Sequence, residues 1–283
     1  MSESDIIGEP EHHLVAPGDT LADLALRHDL GYGELVAANR GIDPWLPEEG
    51  RTVLLPKQHV LPAAQRNGIV INMGDQRLYF FQSGGAVLSF PIGIAVDNDA
   101  IVLGLTRIVR KRENPVWIPP ASIRAERPEL PDAVGPGPDN PLGSFALDLG
   151  WPAMVMHGTN RPYGIGRRVS HGCFRLYEND IATLYRLVSL GTPVNVVYQP
   201  VKLGWHDHAL MLEIHPSANQ MAELDERGDF TPDEPVELPG VVSGVIGPAL
   251  HARIAWDVVA ETAWRRTGMP VRIDLPPVLA PQR

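Results

Sequence analysis

The apolar positions of residues 12–57 follow two periods, which predicts a strand, two helices and a second strand. Short apolar runs at residues 13–15 and 52–55 lie close to proline, as is typical of strands that end in turns. Between them, apolar residues recur at helical spacing over residues 21–26 and again over residues 32–39. This order predicts a small βααβ unit near the start of the chain.

After residues 58–67, which predict a linker, the pattern changes to apolar runs of strand length. The runs on either side of the Gly-Asp turn at residues 74–75 predict a β-hairpin. Further runs at residues 144–149, 153–157 and 193–198 predict more strands of the same domain.

Two segments of this region follow other patterns. Residues 112–142 contain eight prolines, which predicts a long surface loop without regular structure. Loops of that length inside a compact domain are usually functional. Residues 180–189 predict a helix, with Asn179 as a candidate N-cap and Gly191 just beyond its end.

Residues 200–275 predict a third region. A strand is expected at 208–215, a polar loop at 216–235, an amphipathic helix at 254–267 and a last strand at 270–275. No metal site is expected there, because the histidines His206, His208 and His215 flank a strand that we interpret as having no carboxylate or cysteine at the usual ligand spacing.

Length and composition favour several β-rich domains. The chain has 283 residues, more than one compact core usually needs, of which 44% are apolar and 20% charged. The 28 prolines and 27 glycines favour short strands and turns over long helices. We therefore expect a mainly β protein with α+β parts. Its expected domains are a βααβ domain (12–57), a β-rich domain (67–199) and a C-terminal subdomain (200–275).

Charge and hydropathy exclude some function classes. The net charge of −10 argues against a general nucleic-acid binder, since such proteins need a basic face. No run of eighteen apolar residues occurs, so no transmembrane segment is expected. The first ten residues lack the basic and apolar regions of a secretory signal, which a longer precursor could have carried.

The candidate chemistry centres on Cys173, the only cysteine of the chain. A thiol near its free pKa is little ionised at neutral pH, and a neighbouring imidazole can take its proton. His157 ends an apolar run, so its ring would lie on a rigid strand. The glycine-rich loop 158–172 can fold back and bring Cys173 to it. We favour His157 over His171 as the base, because His171 sits beside the nucleophile.

The same loop offers a site for a developing negative charge. Backbone N–H groups of His171, Gly172 and Cys173 can face one point, and converging donors of this kind form an oxyanion hole. Glycine at position 172 leaves room for a substrate carbonyl and tolerates positive φ.

Three other interpretations stay open at this point. Cys173 can be an inert, buried small hydrophobe. His157, His171 and Cys173 can bind zinc, although their spacing matches no common zinc pattern. His171 can have a purely structural role in a tight turn.

The segment "HGTNRPYGIGRRVSHGCFRLYENDI", residues 157–181, resembles the active-site motif of the L,D-transpeptidases with a YkuD-type catalytic domain. "NPLGSFALDLG", "RENPVWIPPASIRAE" and "GIVINMGDQRLYFF" also resemble that family, and the similarity covers residues 67–199. Residues 200–275 resemble the accessory C-terminal region of the ErfK/YbiS branch. In one departure, "AIVLGLTRI" stands where the family often has a Thr-Pro-x-Gly segment.

Residues 12–57 resemble a LysM module, a type of domain that binds glycans containing N-acetylglucosamine. The matching pieces are "HLVAPGDTLADLALRH", "ELVAANRGIDPWLP" and "VLLP". The alternative is a small interaction domain without a sugar site.

The resemblance implies a β-rich L,D-transpeptidase sandwich with a cysteine nucleophile. Cys173 would attack the third residue of a peptidoglycan tetrapeptide stem and form a thioester acyl-enzyme. His157 would act as the base, held in one tautomer by the backbone carbonyl of Gly158. The N–H groups of His171, Gly172 and Cys173 would bind the oxyanion.

Other residues are implied to bind substrate. Arg175 either supports the loop or binds a stem carboxylate, and Ser170 and Tyr163 are candidates for lining the groove. No metal or organic cofactor is implied, and carbapenems are expected to acylate Cys173.

The implied partners are peptidoglycan stem peptides and glycan strands, and the implied location is the periplasm. The acceptor amine would belong to another stem, giving a 3→3 crosslink, or to an envelope lipoprotein or β-barrel protein. The same motif fits an L,D-carboxypeptidase or a hydrolase that releases wall proteins. A non-catalytic peptidoglycan-binding protein is the alternative from another class.

Overall fold

The computed structural model describes residues 4–96, 102–170, 172–232, 238–246 and 251–275. The chain divides into two compact units. The first unit comprises Met1–Leu21, Gly33–Ala63 and Gln199–Arg283, and the second comprises Ala22–Tyr32 and Ala64–Tyr198. The domain boundaries expected from sequence, 12–57, 67–199 and 200–275, stay a prediction.

The described residues form many short strands and few helices, which confirms the predicted fold class. The strands are β1 (Ile6–Ile7), β2 (Glu11–Leu14), β3 (Thr52–Leu55), β4 (His59–Val60), β5 (Gly68–Asn72), β6 (Arg77–Phe81), β7 (Val87–Pro91), β8 (Ile94–Ala95), β9 (Gly104–Glu113), β10 (Phe145–Leu149), β11 (Val155–His157), β12 (Arg168–Ser170), β13 (Phe174–Arg175), β14 (Pro193–Val197), β15 (Val201–His206), β16 (Ala209–Ile214) and β17 (Val271–Arg272). The helices are α1 (Leu21–Arg27), α2 (Tyr32–Ala38), α3 (Ala121–Glu126), α4 (Glu178–Leu187), α5 (Ala218–Arg227), α6 (Leu238–Val245) and α7 (Trp256–Arg265). The order β2-α1-α2-β3 is the predicted βααβ order.

One large sheet organises the second unit. Within its described residues, eight strands pair in the order β13-β11-β10-β9-β14-β5-β6-β7. The predicted hairpin is present as β5 and β6, in which Ile71 pairs with Leu78. All residues of both strands are buried, so this part of the sheet is covered on both faces.

Helix α4 covers one face of the other end of this sheet. Leu147, Met156 and Phe174 lie level with one another across β10, β11 and β13. They are fully buried in one hydrophobic cluster with Ile181 and Leu184 of α4. Each such side chain contributes about 1.5–3 kcal/mol when it leaves water. The residues between them along each strand face away from α4, because successive side chains of a strand alternate.

Helix α4 begins two residues earlier than predicted. It spans Glu178–Leu187 rather than 180–189, and its N-cap is Tyr177 rather than Asn179. Tyr177 makes no side-chain cap hydrogen bond. The acidic residues Glu178 and Asp180 in the first turn favour this start, since carboxylates stabilise the positive end of the helix dipole.

The proline-rich segment 112–142 has regular structure at two places, so that prediction is wrong there. β9 continues to Glu113, and α3 spans Ala121–Glu126. Proline is tolerated at the start of α3 because the first N–H groups of a helix have no partner inside it. Farther along, the Asn140 side chain donates to the Pro115 carbonyl at 2.6 Å, which ties the ends of the loop together.

The polar loop predicted at 216–235 is largely a helix, and its residues 233–235 lie outside the described residues. α5 begins after Ser217, whose hydroxyl accepts the N–H of Gln220. The Gln220 side chain accepts the N–H of Ser217 in return, at 2.9 Å. This capping box is visible in the sequence as Ser-x-x-Gln, the signal that the prediction missed.

The C-terminal sheet of the first unit holds a buried ion cluster. Glu213 lies two residues from His215 and contacts it, contrary to the expectation that no carboxylate accompanies the histidines of this region. Its Oε1 atom is 2.7 Å from Lys202 Nζ and 2.6 Å from His215 Nε2, and all three side chains are buried. Burial alone would raise the pKa of Glu213, but Lys202 and His215 hold it well below its ordinary value. The three groups therefore satisfy one another inside the unit.

Replacement of Asp180 by asparagine is expected to stabilise the protein at alkaline pH. Burial and the nearby Asp29 raise the pKa of Asp180 to about 7, and Arg77 opposes them. Its Oδ2 atom is buried with no hydrogen-bond partner among the described residues. The folded-state pKa lies above the ordinary value of 3.8, so stability is lost as pH rises from about 4 to about 7 and stays lost at higher pH. Asp180→Asn is expected to raise the free energy of unfolding at pH 8 by up to about 4 kcal/mol.

Urea unfolding at pH 4 and pH 8 checks this prediction. The gain is expected at pH 8 and should nearly vanish at pH 4, where Asp180 is neutral in the folded protein. Asp207→Asn removes the same charge from an exposed side chain and serves as the control. An equal gain at both pH values would contradict the assignment.

Candidate active site

His157 and Arg175 lie on one face at the edge of the large sheet, and Cys173 directly precedes the strand that carries Arg175. Strands β11 and β13 are parallel, with Met156 level with Phe174 and His157 level with Arg175. Level residues share a face, so His157 and Arg175 point to the same side. The charges of Arg175 and Arg112 act on both the His157 ring and the Cys173 thiol, which places the two groups in one neighbourhood.

His157 is buried and has a defined proton position. Its Nδ1 atom is 2.6 Å from the carbonyl oxygen of Gly158. A carbonyl only accepts, so Nδ1 carries the proton and Nε2 is the basic atom. Burial lowers the pKa of His157 to about 4; the contact with Gly158 opposes this, and the nearby Arg175 and Arg112 add to it. The ring is therefore neutral at physiological pH.

Cys173 is a partly buried thiol in its protonated form. Its sulfur is 3.6 Å from the carbonyl oxygen of Ala153. Burial raises the pKa of Cys173 above its ordinary value, while the backbone of Val155 and the charge of Arg175 pull it down. A neutral thiol and a neutral imidazole thus coexist, the resting state of a nucleophile that needs a general base.

The turn before Cys173 is held by a buried hydroxyl. The Ser170 hydroxyl donates to the carbonyl of Cys173 at 2.7 Å and accepts the N–H of Gly172 at 3.4 Å. Gly172 has φ +128°, a conformation that favours glycine. His171, the third residue expected in this turn, lies outside the described residues.

Arg175 lies beside a cavity of about 470 Å³ between the proline-rich segment and the glycine-rich loop. Its backbone exchanges two hydrogen bonds with Gly93, each 2.9 Å long, which fixes the residue at the cavity wall. Burial and the nearby Arg161 lower the pKa of Arg175. Four arginines contribute to the lining, Arg127, Arg161, Arg167 and Arg175, together with the acidic residues Glu126 and Asp139. The excess of arginines over carboxylates at this wall suits an acidic ligand.

Tyr163 lines the same cavity from a 3-10 turn, Pro162–Gly164. About half of its surface is exposed, and its hydroxyl donates to Asp23 at 2.9 Å. The phenol ring is thus anchored at its tip, with its side open to the cavity.

Comparison with known proteins places this site in a family. The family model of the L,D-transpeptidase catalytic domain (YkuD) matches residues 66–196, and that of the LysM domain matches residues 13–56. A probable L,D-transpeptidase ErfK/SrfK of Salmonella typhimurium is 36% identical over 96% of this chain and 88% of its own length. The chain belongs to the L,D-transpeptidase family. Probable L,D-transpeptidase YbiS of Escherichia coli is 34% identical over 96% of this chain and 89% of its own length.

Solved structures of L,D-transpeptidases match over a shorter part of the chain. L,D-transpeptidase 3 from Mycobacterium tuberculosis is 14% identical over 52% of this chain and 75% of that chain, with a TM-score of 0.37. An L,D-transpeptidase from Mycobacterium smegmatis is 18% identical over 53% of this chain and 75% of that chain, with a TM-score of 0.35.

This L,D-transpeptidase also carries site residues that the sequence did not reveal. Arg112 and Ala146 lie level with His157 across three strands, so Arg112 is on the face of the site. Its Nη2 atom is 2.6 Å from Oδ1 of Asp148. The consecutive charged residues 110–113 of β9 and the single charge of β10, Asp148, were the available signal. Their partner strands, and hence their distance from Cys173, could not be inferred from spacing.

Proposed function

We propose that this protein is a cysteine-dependent L,D-transpeptidase that acts on peptidoglycan tetrapeptide stems. The placement of the His157 ring and the Cys173 thiol close to the same two arginines, Arg112 and Arg175, carries the proposal. A neutral imidazole with its proton fixed on Nδ1 is ready to take the thiol proton at Nε2.

The reaction has two acyl transfers. The Cys173 sulfur turns from the Ala153 carbonyl toward the substrate and attacks the carbonyl of the third stem residue. Nε2 of His157 takes the thiol proton and passes it to the leaving amine of the terminal D-Ala. An acceptor amine then attacks the thioester, loses its proton to His157 and releases Cys173 as a thiol.

Polar groups around the thiol support the other roles in this mechanism. The N–H groups of Gly172 and Cys173, with that of His171, would stabilise the oxyanion. Arg175 and its neighbours would bind the carboxylates of the stem, and Tyr163 would line the same groove. The buried hydroxyl of Ser170 would hold the turn rather than contact the substrate. This chemistry requires no metal or organic cofactor.

The LysM match supports binding to the glycan strands of the wall. The substrate implies action in the periplasm. Among the described residues, no helix has the length and apolar character needed to cross a membrane. The acceptor amine belongs either to another stem or to an envelope lipoprotein or β-barrel protein.

Incubation with a disaccharide-tetrapeptide, followed by mass spectrometry, tests the proposal. Loss of the terminal D-Ala with formation of dimers or amine adducts is expected. Tripeptide as the sole product would instead indicate an L,D-carboxypeptidase. Unchanged substrate alongside measurable glycan binding would indicate a non-catalytic wall protein. A carbapenem is expected to add its full mass to the protein at Cys173.

A further inference from the structure

The carboxylate of Glu178 occupies a pocket made by two loops beside the active site. Its Oε1 atom accepts the N–H of Thr159 at 2.7 Å, and its Oε2 atom accepts the N–H of Ser144 at 3.0 Å. A Cβ atom added at Gly143 or Gly158 would lie within 2 Å of Oε1. Glycine at both positions therefore makes room for this charge.

One of these hydrogen bonds reaches the peptide group that holds the imidazole. The N–H of Thr159 and the C=O of Gly158 belong to the same peptide unit. That carbonyl accepts the Nδ1 proton of His157 at 2.6 Å, while the N–H donates to Glu178 at 2.7 Å. The imidazole, one peptide group and one carboxylate thus form a continuous chain of hydrogen bonds.

We propose that Glu178 is a positioning residue that acts on His157 through the Gly158–Thr159 peptide. This inference rests on the proposed role of His157 as the general base. A carboxylate that accepts from a peptide N–H polarises the peptide and makes its carbonyl oxygen a stronger acceptor. The stronger acceptor holds the proton on Nδ1 and stabilises the imidazolium that forms during the reaction. Glu178 supplies this charge without contacting the ring.

The surrounding backbone keeps this chain of hydrogen bonds in place. Leu176 donates its N–H to the carbonyl of His157 at 2.9 Å, and Gly158 donates to Phe145 at 3.1 Å. Helix α4 begins at Glu178, and its core residues pack against strands β11 and β13. The carboxylate and the ring therefore sit on elements with a fixed relation inside one unit.

Glu178→Gln removes the charge of the side chain and keeps its size and shape. The amide oxygen can still accept the N–H of Thr159, and the exposed N–H of Ser144 can donate to water instead. Nitrogen-15 NMR of the His157 ring is the first readout, assigned by comparison with His157→Gln. The wild type is expected to show one tautomer with the proton on Nδ1. In Glu178→Gln the Nδ1 proton should shift upfield and an Nε2–H population should appear.

The acylation rate is the second readout. Glu178→Gln is expected to lower the rate of Cys173 acylation about tenfold with little change in KM, because ground-state contacts to the substrate are intact. Glu226→Gln removes the same charge from an exposed side chain and should match the wild type. Glu178→Asp keeps the charge but withdraws it from Thr159, and should give a smaller change in both readouts.

These outcomes distinguish an electrostatic role of Glu178 from a purely structural role. They also distinguish failure of this proposal from failure of the proposed function. The proposal would be overturned if Glu178→Gln had the same ring chemical shifts and the same acylation rate as the wild type. If Glu178→Gln does not fold, the same two readouts in Glu178→Asp decide, and wild-type values there would also overturn the proposal. The NMR readout needs no substrate, so a shifted tautomer in a protein without turnover would refute the proposed function while supporting the link between Glu178 and His157.

Discussion

Replacement of Cys173 by alanine is expected to lower turnover of tetrapeptide stems by at least about 10,000-fold. No other thiol exists in the chain, so no second nucleophile can form the thioester. Among the described residues, the sulfur makes only weak contacts with backbone, 3.6 Å from the Ala153 carbonyl and near Val155, so its removal should leave the fold intact. Product analysis by mass spectrometry, with the melting temperature measured in parallel, checks both points.

A carbapenem provides an independent readout for this variant. The wild type is expected to gain one inhibitor mass per chain, and Cys173→Ala none. Ser83→Ala is the control, since it removes an exposed hydroxyl of the same unit and leaves the thiol and its turn intact. An adduct that persists in Cys173→Ala would place the acylation elsewhere in the chain.

Replacement of His157 by glutamine is expected to lower the acylation rate by about 100- to 10,000-fold, the usual contribution of a general base. The size of the effect follows from the resting protonation state. The thiol pKa is raised by burial, so the fraction of thiolate at neutral pH is below that of a free cysteine. Without the imidazole, the thiol must lose its proton to solvent or to a less well placed acceptor when the sulfur attacks.

The pH dependence gives the sharper test of this variant. His157 must be neutral to act as a base, and its pKa is about 4, so wild-type acylation should persist down to about pH 5. In His157→Gln the reaction depends on free thiolate, and its rate should rise about tenfold per pH unit through the neutral range. His251→Gln, at an exposed histidine of the other unit, should follow the wild-type profile. Parallel profiles for His157→Gln and the wild type would remove His157 from the mechanism.

Local signals predicted the regular elements well where they were recognised. The period of the apolar residues and the turn residues alone predicted the strands around residues 74–75 and the βααβ order. Helix α5 was missed although its Ser217–Gln220 capping box is local, because the segment is polar and its apolar face is short. The start of helix α4 was predicted two residues too late, since a tyrosine N-cap carries no sequence signature.

The chemistry of the site was likewise visible in part. One cysteine, a histidine at the end of an apolar run and a glycine-rich loop between them led to Cys173 and His157. The resemblance to a known family made that pair specific. The contact between Nδ1 of His157 and the carbonyl of Gly158 was implied by that resemblance rather than by the spacing of the residues.

By itself, the sequence determined the β-rich class, the candidate nucleophile and base, and the family, because these depend on residue type and short-range spacing. The tertiary structure alone decided that Arg112, Asp148 and Glu178 surround that pair. Their positions follow from the strand order β13-β11-β10-β9 and from the start of α4, which are long-range pairings. It also decided the protonation state, since burial depends on which elements cover the ring and the sulfur.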